Sequence, residues 1–288
     1  PDPLPDPETP IPDPDPKPLG QAAIGMHASA DPDISDREID EFGLFRPGVI
    51  KILSFHNPAA LRKLAANHPG SKWIVRAFLD FGGRGINPQR FFNDTINDMQ
   101  RTMQILEGRE VVIELHNEPN IYAEGLDSSW TNGAEFSTWW TRLLRLYRHV
   151  FPGHKFIFPG LSPGADVKGI RQDHIRFLEA CRPAVEEADG LGSHIYWSAY
   201  YPMSRALNVL DDTIKRFPNK PVWITEASNN KDATSSTSKA YEYLSFWKKL
   251  QERPTVEGVT YFVASSINPD FASEVIVGKG ISRIIGAR

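Results

Sequence analysis

Residues 111–120 read VVIELHNEPN and residues 222–228 read VWITEAS. Each opens as a short run of β-branched and large apolar residues, the composition of a strand buried on both faces. Each then turns polar, and a glutamate stands at the change: Glu118 in the first, Glu226 in the second. A strand covered on both faces belongs to a parallel sheet with helices packed over it. Such a sheet requires the strand–helix unit to recur along the chain.

It recurs. Eight segments have this character, at 22–28, 49–55, 73–79, 111–117, 156–161, 191–197, 222–227 and 259–264. Helical patterns fill the intervals. Ser35-Asp36-Arg37-Glu38 is a capping box, and Asn57-Pro58 sets a cap before a proline in the first turn. Over 89–107, Phe92, Ile96, Met99, Met103 and Leu106 form an amphipathic stripe. Further helical patterns cover 134–151, 173–188, 204–217 and 235–252, and only an irregular segment follows the last strand. Eight alternations predict a (β/α)₈, or TIM, barrel over 20–288. A doubly wound sheet would place a Gly-rich phosphate loop after the first strand, and none stands there.

The connections are asymmetric. Those from helix to strand include the short turns Arg46-Pro47-Gly48 and Phe217-Pro218-Asn219. Those from strand to helix are longer and richer in polar and aromatic residues, notably 81–88, 119–133 and 198–203. In a barrel the longer set crowns the C-terminal face, where this fold carries its chemistry. Both glutamates end strands on that face, three strands apart in a ring of eight, and can approach across the mouth. Two carboxyl groups flanking a bond are what glycosidic cleavage uses.

Composition narrows the alternatives. Residues 1–20 hold nine of the 24 prolines and a net charge of −4, which is the net charge of the whole chain. Residues 1–19 therefore read as an extended, semi-rigid linker to an upstream domain or anchor. The remaining body is electrically neutral, with no global reason to bind nucleic acid. No apolar run is long enough to span a membrane. A single cysteine, Cys181, excludes an internal disulfide framework and reads as a small buried hydrophobe. No histidine pairing has metal-ligand spacing, so neither a metal nor another cofactor is expected. The chain starts at Pro1 without a leader pattern, so it reads as a piece whose targeting signal lies elsewhere.

Asn117-Glu118-Pro119 after a fourth strand, with Glu226 ending a seventh 108 residues later, resembles the clan A retaining glycoside hydrolases. The resemblance spans the barrel by strand order. It implies that Glu118 is the acid/base and Glu226 the nucleophile, with carboxyl groups about 5–5.5 Å apart. It also implies that Asn117 contacts the sugar 2-hydroxyl, and that a His or Tyr at the end of strand six stands near the nucleophile.

The residues themselves supply further candidates. Alternation puts His194 and Tyr196 on one face of the sixth strand, and a Tyr196 hydroxyl on Glu226 would stabilise its ionised form. Alternation also puts Glu114 and His116 on the face of Glu118, and a glutamate inside a barrel needs a cation, for which Arg76 on strand three is the candidate. His27 and Phe262, ending strands one and eight, are candidate sugar contacts, and Trp197 and Trp130 candidate stacking platforms. Together these predict hydrolysis of a β-linked poly- or oligosaccharide, more consistent with internal cleavage, in an extracellular or cell-envelope setting. The rival reading is a non-catalytic barrel that holds a polysaccharide through aromatic loops. A Schiff-base enzyme would want a lysine at a strand end, whereas Lys51 sits mid-strand.

Overall fold

The structure is a computed structural model describing residues 20–230 and 234–288. The Pro/Asp-rich linker of the sequence reading lies outside these residues. Eight parallel strands close into a barrel in chain order. They are β1 (Ala23–His27), β2 (Val49–Leu53), β3 (Lys72–Ala77), β4 (Val111–Leu115), β5 (Lys155–Phe158), β6 (Gly190–Trp197), β7 (Val222–Asn229) and β8 (Val256–Tyr261). Around them run α1 (Asp36–Phe45), α2 (Pro58–Asn67), α3 (Pro88–Ile105), α4 (Gly133–Val150), α5 (His174–Ala180), α6 (Arg182–Glu187), α7 (Met203–Arg216), α8 (Ser236–Leu250) and α9 (Ile281–Gly286). This is the (β/α)₈ barrel that the sequence predicts.

The local signals act as their chemistry requires. Ser35 and Glu38 form a reciprocal capping box, each side chain accepting from the other's backbone N–H. Asn57 and Asn87 each cap a helix that begins with proline. Three details differ from the sequence reading. The buried face of α3 runs through Phe91, Thr95, Met99 and Thr102, while Phe92 and Ile96 are only partly covered. One helix was expected over 173–188, but the chain breaks at Cys181, and a second short helix begins at Arg182 with Pro183 in its first turn. Cys181 itself is fully buried. The segment after β8 is also more ordered than its sequence suggests. It ends in α9, whose Ile281 and Ile285 are buried and which packs on α1 and α8.

The barrel interior is layered. Val49, Ile74, Val112, Ile157 and Trp223 plug its N-terminal end with apolar packing. Above that plug the inward side chains become Lys51, Arg76, Glu114 and Thr225, all buried. Charge at that depth persists only when it is paired. This polar layer is the floor on which the mouth is built.

Candidate active site

Glu114 is at the centre of the floor. Arg76 sits opposite it in the β3–β4 register. Arg76 Nε donates to Glu114 Oε2 at 2.9 Å, and Lys51 Nζ lies 2.9 Å from the same oxygen. The Thr225 hydroxyl donates to Glu114 Oε1 at 2.8 Å. Burial alone would raise the Glu114 pKa, but Arg76 and Lys51 outweigh it and hold the carboxylate well below its usual range.

Glu226 stands one level higher, brought inward beside Thr225 because the β7–β8 register shifts between Ile224 and Ala227. Its Oε1 accepts from Arg76 Nη2 at 2.7 Å and from Lys51 Nζ at 3.3 Å. Its Oε2 accepts from the Tyr196 hydroxyl at 2.6 Å. Burial pushes its pKa upward, yet the Lys51 and Arg76 cations outweigh that and hold it well below the ordinary value. Glu226 is thus kept ionised although it is nearly buried.

Glu118 faces it across the mouth. The strand has already ended at Leu115, and the backbone takes positive φ at both His116 (84°) and Glu118 (34°). That turn is fixed by the Glu118 N–H, which donates to the Gly160 carbonyl at 3.0 Å. The Glu118 side chain is the more open of the pair, at 17% exposure against 7% for Glu226. His194 lies between the two carboxylates, its Nδ1 2.7 Å from Glu118 Oε1 and 3.6 Å from Glu226 Oε2. Arg76 Nη2 is 3.3 Å from His194 Nε2. Arginine only donates, so Nε2 accepts and the Nδ1 hydrogen goes to Glu118. Gly160 makes room for the ring: a Cβ there would meet His194 Cδ2 at 2.2 Å.

Oxygens of Glu118 and Glu226 come within 4.8 Å of one another. With His194 they form a compact group of three potential metal ligands. Both His194 nitrogens are already used, however, one donating to Glu118 and one accepting from Arg76, so the trio does not fit a cation.

A cavity of about 540 Å³ opens over this pair. His27, Asn117, Tyr196 and Phe262 line it, as do Phe78, Phe271, Asn230, Glu124 and Glu274. Asn117 Nδ2 donates to Glu124 Oε1 at 2.8 Å. A second cavity of about 310 Å³, lined by Tyr201 and Arg171, shares Tyr196 and Asn230 with the first.

Three expected site residues lie elsewhere. The positive φ at His116 breaks the alternation of β4, so its ring turns out of the barrel and stacks on Phe81. Trp130 joins the same aromatic cluster, 5.1 Å from Trp139, and its Nε1 donates to the Pro119 carbonyl. Trp197 follows Tyr196 and so faces outward, stacked on Phe246 with its Nε1 on Glu242. Both indoles are nearly buried, and of the two only Trp197 borders a cavity described above, the second one. Conversely, Lys51, Thr225, Glu124 and Glu274 were not anticipated as site residues. Lys51 carried a signal, because a lysine inside the run VIKIL must find buried carboxylates. Glu124 and Glu274 sit in loops with no sequence signature.

Residues 88–280 match the family described as glycosyl hydrolase catalytic core. No curated protein sequence matches the chain. Among solved structures, a glycoside hydrolase of GH5 subfamily 18 from Streptomyces cattleya, in complex with GlcNAc, superposes with a TM-score of 0.61 at 14% identity, covering 93% of this chain and 80% of its own. A GH128 curdlan-specific exo-β-1,3-glucanase from Blastomyces gilchristii gives 0.58 at 12% identity, covering 91% and 97%. A GH26 β-mannanase from Bacteroides ovatus gives 0.57 at 13% identity, covering 93% and 87%. At these identities the likeness is one of fold.

Proposed function

The chain belongs to the glycosyl hydrolase catalytic core family, and from that premise we propose that it is a retaining glycosidase acting on a β-linked poly- or oligosaccharide. The observation that carries the reading is that an oxygen of Glu118 and one of Glu226 come within 4.8 Å of each other, with His194 Nδ1 within reach of both. Retention needs groups about 5–5.5 Å apart, whereas inversion needs about 6.5–9.5 Å to admit a water between them.

The proposed steps use this geometry. Glu226 Oε1 is occupied by Arg76 and Lys51, which leaves Oε2, on the Tyr196 side, to attack the anomeric carbon. As that bond forms, the bond to the leaving oxygen breaks and Glu118 gives the oxygen its proton. A water then enters, loses a proton to Glu118 and attacks the same carbon, and Glu226 departs as carboxylate. The Arg76 and Lys51 charges stabilise it in that role. Asn117, beside Glu118 at the cavity wall, is the contact for the hydroxyl next to the anomeric carbon, and His27 and Phe262 bound the sugar on the β1–β8 side.

Internal cleavage is supported by the second cavity, which shares Tyr196 and Asn230 with the first and offers a further sugar a place to lie. Chains of that kind are mostly met outside the cell, so we place the enzyme there, tethered through residues 1–19. The test is digestion of a glycan library with the product anomers followed by ¹H NMR as they form. β-Anomers appearing first support the mechanism, and α-anomers appearing first overturn it.

A further inference from the structure

Six residues beyond Glu118, the chain places a further carboxylate in the wall of the same cavity. Glu124 ends a single 3₁₀ turn (Tyr122–Glu124) in the loop between β4 and α4. That loop is held firmly. The Ile121 N–H donates to the Glu118 carbonyl, and the Leu126 N–H donates to the Ile121 carbonyl. Gly125, at φ 115°, packs so closely that a Cβ would meet Trp130 Cη2 at 2.6 Å. The residue just before Glu118 therefore grips Glu124: the Asn117 amide donates to its carboxylate at 2.8 Å.

We propose that Glu124 is a positioning residue that sets the Asn117 amide beside Glu118 and, through it, the sugar hydroxyl next to the bond being cleaved. The inference rests on the glycosidase reading and extends it to a residue that never touches the reacting atoms. Its logic is one of donors and acceptors. An ionised carboxylate only accepts, so the Asn117 amide must turn its NH₂ toward Glu124. Flipping the amide would set two acceptors against each other. A protonated Glu124 could donate to Asn117 Oδ1 instead, and the preference for one orientation would fall.

Glu124 faces Asn117, Glu118, Arg76 and Glu226. Burial, together with the negative charges of Glu118 and Glu226, pushes its pKa up to about 7, against the Asn117 hydrogen bond and Arg76, which lower it. The clamp is therefore set above neutral pH and loosens below it.

Two measurements test this. The first needs no substrate: the ¹⁵N-labelled Asn117 side-chain NH₂ pair should shift with a midpoint near pH 7 in the native protein. In Glu124→Gln it should lose that titration. A pair that does not titrate, or titrates unchanged in Glu124→Gln, overturns the clamp. The second compares an aryl β-glycoside that the enzyme hydrolyses with its 2-deoxy analogue. Glu124→Ala and Asn117→Ala should each lower kcat on the parent by about 10–100-fold, the scale of a small misplacement. Each should change the 2-deoxy rate less than about twofold, and the double variant should be no worse than Asn117→Ala alone, with Glu124→Gln recovering part of the loss. Equal losses on both substrates, or additive losses in the double variant, overturn the positioning role. A native protein that hydrolyses no glycoside would sink the glycosidase reading, while the amide titration still decides the clamp.

Discussion

Arg76 Nη2 stands 2.7 Å from Glu226 Oε1, while Nε of the same guanidinium donates to Glu114 Oε2 at 2.9 Å. One side chain thus joins the floor of the barrel to the group proposed as nucleophile. Arg76 is 4% exposed and shares both carboxylates with Lys51. Two cations facing two anions form a closed set, and removing one member leaves an uncompensated buried charge. Arg76→Met should therefore lower unfolding free energy by about 3–5 kcal/mol, measured by denaturant titration at pH 7. Arg76→Lys should rescue only part of it, because an ammonium cannot hold two carboxylates through a planar fork. A loss below about 1 kcal/mol in Arg76→Met would show that the network is not closed as described.

The strand order, the two glutamates and the Arg76–Glu114 neighbourhood could be read from periodicity and strand ends, because those depend on local pattern and on barrel topology. His116 could not, since nothing in LHNEP announces that the backbone takes φ 84° and ends the alternation one residue early. The same break hid the aromatic cluster that receives His116 and Trp130. Thr225 and Glu226 both reach inward through a register shift in β7, and alternation alone allows only one of them. Glu124 and Glu274 come from loops, whose paths are set by tertiary contacts rather than by composition.

The two catalytic assignments are separable by chemical rescue. Glu226→Ala should reduce turnover of an activated aryl β-glycoside to background, and added azide should restore it with formation of the α-glycosyl azide, a single inversion. Glu118→Ala should retain activity on substrates with good leaving groups but lose about 10²–10⁴-fold on poor ones. With azide it should give the β-glycosyl azide through the intact Glu226 intermediate. The same azide anomer from both variants would refute the assignment.

Tyr196 donates to Glu226 Oε2 at 2.6 Å, a hydrogen bond to a charged, nearly buried acceptor. Bonds of that kind contribute about 1.5–3 kcal/mol. Tyr196→Phe keeps the ring and removes the donor, so kcat/KM should fall about 10–100-fold, with the Arg76 and Lys51 contacts to Oε1 left in place. An unchanged pH–rate profile and rate in Tyr196→Phe would reduce the tyrosine to a wall of the cavity.

Glu274 predicts a pH dependence of stability. Its Oε2 has no hydrogen-bond partner among the described residues, and burial together with nearby Glu226 pushes its pKa up to about 7, against the lowering effects of Ser228 and Lys239. The unfolded value is near 4.3. A carboxyl whose folded pKa is raised binds its proton more tightly in the native state. Its contribution therefore favours folding below about pH 4 and turns unfavourable as pH rises from there to about 7. Glu274→Gln should stabilise the protein by about 1–3 kcal/mol at pH 8 and leave it unchanged at pH 4, by denaturant titration at each pH. Stabilisation of equal size at both values would point to packing rather than charge.

The adjoining cavity makes the case for internal cleavage testable at single residues. Tyr201 lines it and is 38% exposed, while its neighbour Tyr200 does not line it and is 95% exposed. If a chain of sugars runs from Glu226 past Tyr196 into this second cavity, the Tyr201 ring meets a distal sugar and no reacting atom. Contacts of one aromatic ring contribute about 0.5–1.5 kcal/mol. Tyr201→Ala should therefore raise KM for an oligosaccharide of four or more units by about 2–12-fold and leave both KM and kcat for a short aryl glycoside untouched. Tyr200→Ala, equal in chemistry but outside the cavity, should change neither substrate. A Tyr201→Ala effect on the short substrate would mean that the loop supports the reacting sugar itself, and the second cavity would lose its place as a continuation of the cleft.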